Sequence, residues 1–516
     1  MTTLTPEAPA LGPQDQPDRA DSVELDSVEH PTPKTSGSHV RRPFERRQLV
    51  DLGASLIVAI GAATLVTTNA FGSPAFMDDE GIYTAQAGSI LDGSLSPYTY
   101  WYDHPPFGWI QLAILGGLSR TFGLNSATTD IGAMRIVIGL YFVASAVLVY
   151  LIARRINVAP AIAFAGAALF VLSPRYKLWS YAAGGAAFAI AVLSKLTAAV
   201  MGPALLFALL DRKKWTGRSF SIAAFLSLGA LLLAFFPLMA ALRGELFAGP
   251  GHVSLQDGLT FQFASRAGSG YIWEVGSARF ELVASWLRVD AVLPIAGLIG
   301  AIICAFNRRS RWLLVAVVSF IVPLVVGSGY LPAMYIIGGV PFLCLAIAGG
   351  TDILIRLGLK AWSSKRGRVD LRARSIVAGV IAAALVTIPV VSWANQDARL
   401  LTAQDNADWH QTLEWVTANV STDDVVLVPF SMWQDLHKAG WDDPWTLIAL
   451  EKVDLDTAFD EQHPGGWKDI QWIVEGPSVE PNLRYLNLTD AQSAFDASTI
   501  VKSFGEWNVR RVEVES

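Results

Sequence analysis

The sequence predicts an all-α polytopic membrane protein with a small α/β domain at its C-terminus. Its 516 residues are 52% hydrophobic and only 16% charged, which excludes disordered, collagenous and disulfide-stapled proteins. Apolar runs of about 17 to 22 residues recur between Val50 and Trp393, and each could span a bilayer core of about 30 Å. These spans are predicted to be helices, because lipid offers no partner to free backbone groups and the runs are too long for barrel strands.

The first 48 residues are predicted to be a disordered cytoplasmic segment, since they are rich in Pro, Ser, Thr and acids and have no apolar periodicity. They lack the basic start and short apolar run of a signal peptide. Four arginines, at 41, 42, 46 and 47, directly precede the first span, Val50 to Phe71. Basic residues beside a span favour the cytoplasm, so the following loop, 72–131, is expected on the outer face.

The membrane domain is predicted to cover residues 49–393 and to contain about 10–11 transmembrane helices. The later spans are 132–153, 157–173, 178–194, 196–210, 220–242, 289–306, 311–327, 331–350 and 375–393. Basic clusters at 154–155, 212–214, 308–311 and 356–374 should be cytoplasmic. The second long loop, 243–288, and everything after Trp393 are then expected outside, on the same face as the first loop.

The C-terminal residues, 394–516, are predicted to form a soluble extracytoplasmic α/β domain. A helical pattern runs from Asp408 to Asn419, and short apolar runs at 425–428, 470–474 and 501–504 indicate strands. The net charge of the chain is −6, and this region is rich in Asp and Glu. An acidic region of this kind argues against a nucleic-acid partner.

The chain has two cysteines, Cys304 and Cys344, and both lie inside apolar runs. A small buried hydrophobic side chain is the favoured interpretation of each, ahead of a disulfide or a metal site.

Three consecutive carboxylates, Asp78, Asp79 and Glu80, follow the first span and lead into a helical pattern. Helix capping accounts for one acid at a helix N-terminus, but not for three. Like charges this close to low-dielectric lipid raise one another's pKa, which suits a general base or a metal ligand. The residue types alone leave the structural and the functional interpretation equally open.

A second polar feature, Asp103 and His104, precedes Pro105-Pro106 and an apolar stretch that ends near Leu118. A pair of prolines before a short apolar run predicts a helix lying along the membrane interface. A lone histidine is more often structural than functional. Beside an acid in an outward loop, however, it suits a phosphate or metal site.

The order of these features, with Arg135 opening the next span, resembles that of the GT-C membrane glycosyltransferases. The nearest groups are the protein O-mannosyltransferases and the bacterial aminoarabinose-to-lipid-A transferases, and the resemblance covers roughly residues 50–393. Segments 250–255, 266–270 and 433–436 are similar to an actinobacterial subgroup. The resemblance implies the GT-C fold, a polyprenyl-phosphate sugar donor, and a lipid, glycan or protein acceptor at the outer face of the cell membrane.

The resemblance also implies roles for individual residues. Asp79 matches the general base on the acceptor hydroxyl, and Glu80 is its catalytic neighbour. Asp103 matches a metal-binding acid, and His104 matches the cation beside the donor phosphate. His252 lies in a loop that supplies a metal-binding histidine, so a divalent metal is one option for this chain.

Further positive charge for the leaving phosphate is expected from Arg135, Arg266 and Lys195. Lys195 resembles a family position where a short Ser/Thr-Lys motif ends a span near the outer face. A lysine that snorkels to the membrane surface is an equally good interpretation.

The chain departs from the family pattern after Ser173-Pro174, where a second active-site acid is expected but Arg175-Tyr176-Lys177 follow. The clusters 154–155 and 212–214 should both be cytoplasmic, which requires an even number of crossings between them, yet three spans are predicted. An active enzyme would need another acid in that role, and Glu80 is the expected one. A catalytically impaired, envelope-binding relative is therefore one alternative. A transporter is a less favoured one, because transporters place ionisable groups near the bilayer midplane.

Overall fold

The computed structural model describes residues 43–102, 104–121, 129–172, 191–210, 222, 225–227, 229–265, 268–327, 329–332, 334–366 and 371–513. Contacts separate a short unit, Met1–Arg47, from a second compact unit, Gln48–Ser516. The chain is mostly helical and carries one small sheet near its C-terminus, so the predicted fold class is confirmed.

The described residues before 403 form mainly helices. In chain order they are α1 (Pro43–Thr67), α2 (Asp78–Leu91), α3 (Phe107–Thr121), α4 (Asp130–Arg155), α5 (Pro160–Leu172), α6 (Gly202–Leu210), α7 (Phe235–Arg243), α8 (Leu255–Thr260), α9 (Ala278–Val289), α10 (Val292–Ala305), α11 (Trp312–Val326), α12 (Val340–Arg366) and α13 (Leu371–Thr402). Two 3-10 turns, Leu196–Met201 and Tyr335–Gly338, and a π turn, Phe261–Ser265, accompany them.

Four helices in the described ranges are long and apolar enough to cross a membrane, or up to six if each of two bent pairs is one span. The four are Arg47–Thr67, Asp130–Arg155, Phe225–Arg243 and Tyr335–Ala361, and four shorter apolar helices accompany them. Most of the predicted span 178–194 lies outside the described residues. The number of crossings between 157 and 210 therefore stays a prediction.

Two predicted span boundaries are wrong. The span expected at 331–350 is a 3-10 turn followed by α12, which starts at Val340 and continues to Arg366, into residues assigned to a basic loop. The span expected from residue 289 starts instead at Val292. The Asp290 carboxylate accepts hydrogen bonds from the N–H groups of Val292 and Leu293, at 2.9 and 3.1 Å, and so begins a new helix there.

Small residues allow α10 and α12 to approach closely. A Cβ on Gly300 would lie 2.5 Å from the carbonyl oxygen of Ala346, and one on Gly350 would lie 2.9 Å from the Cα of Gly300. Such close backbone contact is a common means of helix association in lipid, where apolar burial between helices gives little driving force. Cys304 and Cys344 are free and buried in the same core, which confirms the expectation for both.

The C-terminal α/β region comprises residues 407–512. Its helices are α14 (Ala407–Asn419), α15 (Phe430–Lys438), α16 (Lys452–Leu455), α17 (Phe459–Gln462), α18 (Val479–Leu486) and α19 (Thr489–Asp496), with a 3-10 turn at Gly466–Asp469. Its strands are β1 (Val426–Val428), β2 (Leu447–Ala449), β3 (Trp472–Glu475), β4 (Ser498–Phe504) and β5 (Trp507–Val512), in the order β2-β1-β3-β5-β4. β1 runs parallel to β2 and β3, whereas β5 is antiparallel to β3 and β4.

The C-terminal α/β region packs directly onto α2 and the loop that follows it. A Cβ on Gly81 would lie 2.0 Å from the carbonyl oxygen of Phe430, so the start of α15 lies against the bare backbone of α2. The Tyr98 hydroxyl donates to the Leu447 carbonyl at 2.6 Å and accepts from the Ala449 N–H at 2.9 Å. These contacts hold β2 and α15 in place beside the acids of α2.

Replacing Gly81 by Ala should lower the thermal unfolding midpoint of the purified protein. The added Cβ would overlap the Phe430 carbonyl, and overpacking of this kind typically costs about 1–3 kcal/mol. The matched control is Gly53→Ala, since a Cβ there meets nothing within 4 Å. That variant should be neutral or slightly more stable, because Ala favours a helix over Gly by about 0.5–1 kcal/mol. Scanning calorimetry in detergent that gives both variants the same midpoint would contradict the close packing.

Candidate active site

A cavity of about 650 Å³, here called the polar cavity, lies between α2 and the C-terminal α/β region. Its α2 side includes Asp78, Asp79 and Tyr83, and its other side includes Glu451 and Lys452. Other parts of the wall include Thr99 and His104, the acids Asp405 and Asp408, and aromatic residues of both parts, among them Trp101, Trp109, Tyr330, Tyr485 and Trp507. Charged groups from distant parts of the sequence therefore share one space.

The acids at the start of α2 differ in their surroundings. Asp78 is held by the C-terminal α/β region, since its carboxylate accepts from the Ser431 N–H at 3.1 Å and from the Asn482 side chain at 3.2 Å. Asp79 is exposed to the polar cavity, and no described residue donates a hydrogen bond to its carboxylate. Of the two aspartates, Asp79 is therefore the one available to a substrate.

Glu80 points away from substrate space and forms a buried ion pair with Arg135. The Arg135 Nη2 lies 2.7 Å from a Glu80 carboxylate oxygen, and the two side chains are only 6% and 7% exposed. Arg135 also donates to the carbonyls of Ala70, Pro74 and Ala75 at 2.8 to 3.1 Å. These bonds use every N–H group of the guanidinium. The geometry gives both residues a structural role, in place of the catalytic and phosphate-binding roles expected for them.

A second cavity, of about 150 Å³ and here called the apolar cavity, lies among α3, α4, the segment 191–201 and the segment 332–345. Tyr83 and Trp109 line both cavities. Lys195 lines the apolar cavity, and its Nζ donates a hydrogen bond to the Tyr83 hydroxyl at 3.1 Å. The Lys195 ammonium group is thereby directed at Tyr83, a wall residue of both cavities, and this position is called the junction.

The histidines expected in the site are separated by the fold. His104 lines the polar cavity. His252 does not: its ring nitrogens lie 3.2 and 3.3 Å from the carbonyl oxygens of Pro250 and Phe247, inside its own loop. We therefore remove His252 from the candidate site. Asp103 and Arg266 lie outside the described residues.

The described residues provide no set of ligands for the expected divalent metal. There, no group of three or more His, Cys, Asp or Glu side chains is placed to hold an ion. Since His252 is held in its own loop, the predicted pairing of this residue with Asp103 lacks support.

Five charged residues that line the polar cavity were missed in the sequence: Asp405, Asp408, Glu451, Lys452 and Glu506. Glu451 and Lys452 come after Leu450, which directly follows the short strand β2, and the three residues of β2 are too few to stand out as a strand. Burial raises the pKa of Glu451 to about 7; the neighbouring Lys452 opposes the shift, and Asp78 and Asp79 add to it. A carboxyl with such a pKa is poised to change its charge near neutral pH.

Solved structures with a similar arrangement identify the fold. The apo oligosaccharyltransferase of Archaeoglobus fulgidus aligns with 86% of this chain and 72% of its own, at a TM-score of 0.52 and 13% identity. Apo ArnT of Cupriavidus metallidurans aligns with 90% of this chain and 98% of its own, at a TM-score of 0.54 and 14% identity. Both are GT-C glycosyltransferases. The chain therefore has the GT-C fold.

Another structure of the archaeal enzyme, in complex with Zn and sulfate, aligns with 84% of this GT-C chain and 69% of its own, at a TM-score of 0.50 and 13% identity. No protein-family model matches the sequence. No curated protein sequence matches it either. The similarity to known proteins therefore rests on the three-dimensional arrangement.

Glu80→Gln should destabilise the GT-C fold. Removing one partner of a buried ion pair leaves the other charge uncompensated, which typically costs about 3–5 kcal/mol. The matched control is Glu480→Gln, which breaks the exposed Glu480–Arg484 pair. An exposed pair contributes about 0–1 kcal/mol. Thermal unfolding of both variants measures the difference, and equal midpoints would refute the structural role of Glu80.

Proposed function

We propose that this protein is an integral-membrane glycosyltransferase that moves a sugar from a polyprenyl-phosphate donor to an acceptor hydroxyl. The acceptor is an envelope lipid, glycan or protein, and the reaction takes place on the outer face of the cell membrane. The observation that carries the proposal is that a carboxylate-lined cavity and an apolar cavity share the Tyr83 side chain, to which the Lys195 ammonium group is hydrogen-bonded.

The two cavities suit the two halves of such a donor. The apolar cavity, between helices of the membrane part, offers hydrocarbon surroundings to the first isoprene units. Lys195 at the junction offers a point charge to the phosphate. The polar cavity then receives the sugar and the acceptor, where His104 and aromatic side chains complete the wall.

The reaction needs a base and a charge partner. The acceptor oxygen attacks the anomeric carbon of the donor sugar as the bond from that carbon to the phosphate oxygen breaks. The electron pair of the broken bond goes to the leaving phosphate, whose developing charge Lys195 stabilises. The proton of the acceptor hydroxyl goes to Asp79, the exposed carboxylate in the polar cavity.

The alternatives from the sequence receive different support. The GT-C fold gives no support to a transporter. The alternative of a catalytically impaired, envelope-binding relative rests on the acid that is missing after Ser173-Pro174. Glu80 was expected to replace this acid, but it is paired with Arg135. The carboxylates of the polar cavity favour an active enzyme instead.

Asp79→Asn should reduce sugar transfer by about 10²- to 10⁴-fold, the usual contribution of a general base. The assay is transfer of labelled sugar from a panel of short-chain polyprenyl-phosphate hexoses and pentoses by purified protein. Asp92→Asn is the matched control, because Asp92 is an exposed aspartate at the other end of α2 and is not part of the polar cavity. Near-normal turnover in Asp79→Asn would refute the assignment of the base.

Lys195→Met should weaken binding of undecaprenyl phosphate about tenfold or more, since it removes the charge at the cavity junction and keeps most of the apolar stem. Binding can be followed by the quenching of tryptophan fluorescence in detergent. Lys502→Met, at an exposed lysine of β4, is the control and should bind normally. Equal affinities of the two variants would exclude a role of Lys195 in binding the phosphate.

A further inference from the structure

The three parallel strands of the C-terminal α/β region all end at the polar cavity. Phe430 and Ser431 come soon after β1, Glu451 and Lys452 after β2, and Pro477 and Ser478 after β3, and all six residues line this cavity. Carboxyl ends of neighbouring parallel strands lie along one edge of a sheet, which is the usual place for ligands in open α/β sheets. The region therefore presents its ligand-binding edge to the reaction space.

Glu451 is the carboxylate that this edge presents to the polar cavity, and the hydrogen bond to it comes from its own backbone N–H. Across the described ranges, no side chain donates a hydrogen bond to it. The nearby Asp456 shows the contrast, since its carboxylate accepts from the Thr99 hydroxyl at 2.7 Å and from the Ala458 N–H at 3.1 Å. A partly buried carboxylate bound only by its own N–H keeps acceptor positions for a substrate hydroxyl.

We propose that Glu451 is a second catalytic carboxylate of the transferase, which binds the acceptor by accepting a hydrogen bond from one of its hydroxyl groups. This inference rests on the proposed function. The reacting hydroxyl still loses its proton to Asp79, and Glu451 gains no proton in the step. Glu451 holds the acceptor beside the anomeric carbon, and so takes the place of the acid that is missing after Ser173-Pro174.

The charge state of Glu451 gives the inference a pH dependence. Because its pKa is raised to about 7, the Glu451 carboxyl is only partly charged at neutral pH. Acidification removes the remaining charge, and it is this charge that strengthens the hydrogen bond from the acceptor. The charged groups that act on Glu451 are Lys452 beside it and Asp78 and Asp79 across the cavity. The other titratable groups that line the cavity are Tyr83, His104, Tyr330, Asp405, Asp408, Tyr485 and Glu506.

The test compares Glu451→Gln, Glu451→Asp and the control Glu480→Gln in the full-length protein. Acceptor kinetics are measured with n-octyl glycosides as probes and the most active donor of the polyprenyl-phosphate panel. Glu451→Gln should lower kcat/KM for the acceptor about 10- to 100-fold, because a hydrogen bond to a charged group is lost. Its affinity for undecaprenyl phosphate should be unchanged. Glu451→Asp should recover part of the loss.

The pH profile separates a binding role from a structural one. Wild-type kcat/KM for the acceptor should rise tenfold per pH unit below about 7 and level off above it, and Glu451→Gln should lose this rise. Normal acceptor kinetics in Glu451→Gln, or an unchanged profile, would overturn the inference and leave the proposed function intact. A wild-type protein that transfers no sugar from any donor of the panel would overturn the proposed function and the inference with it.

Discussion

The candidate site depends on a single buried guanidinium. Arg135, near the start of α4, binds the carbonyls of Ala70, Pro74 and Ala75 and the carboxylate of Glu80. These bonds fix the chain between the end of α1 and the first turn of α2. Arg135 also lies over the Phe76 ring, 4.4 Å from its centroid. Because the N-terminus of α2 is held in this way, Asp78 and Asp79 have defined positions next to it.

The C-terminal α/β region uses that fixed helix end as its docking surface. Asp78 binds Ser431 and Asn482, and Gly81 lets the Phe430 backbone lie directly on α2. Asn406 adds a link to the same segment, since its side chain donates to the carbonyls of Phe71 and Pro74. The polar cavity therefore lies between α2 and the C-terminal α/β region. A chain without its C-terminal residues would lack Glu451, Lys452 and one side of the cavity.

The acids of the site illustrate how burial divides similar residues between different tasks. Glu80 is paired with a cation and hydrogen-bonded, so its charge stabilises the fold. Asp78 is bound by two donors across an interface. Asp79 and Glu451 line the polar cavity, and no side chain in the described ranges donates a hydrogen bond to either carboxylate. Asp78, Asp79 and Glu80 are consecutive in α2. Successive side chains of a helix point in different directions, so these three acids have different surroundings.

The sequence by itself determined the helical membrane class, the C-terminal helix from about residue 408 and three of the five strands. These follow from the length of apolar runs and from local periodicity, which need no tertiary contacts. It also indicated Asp79 and His104 as cavity residues. The tertiary structure decided which acids are free, because the pairing of Glu80 with Arg135 joins residues that are 55 positions apart. Only the fold brought Glu451 and Asp79 to the same cavity, since a strand as short as β2 leaves no clear local pattern and the two residues lie far apart in the sequence.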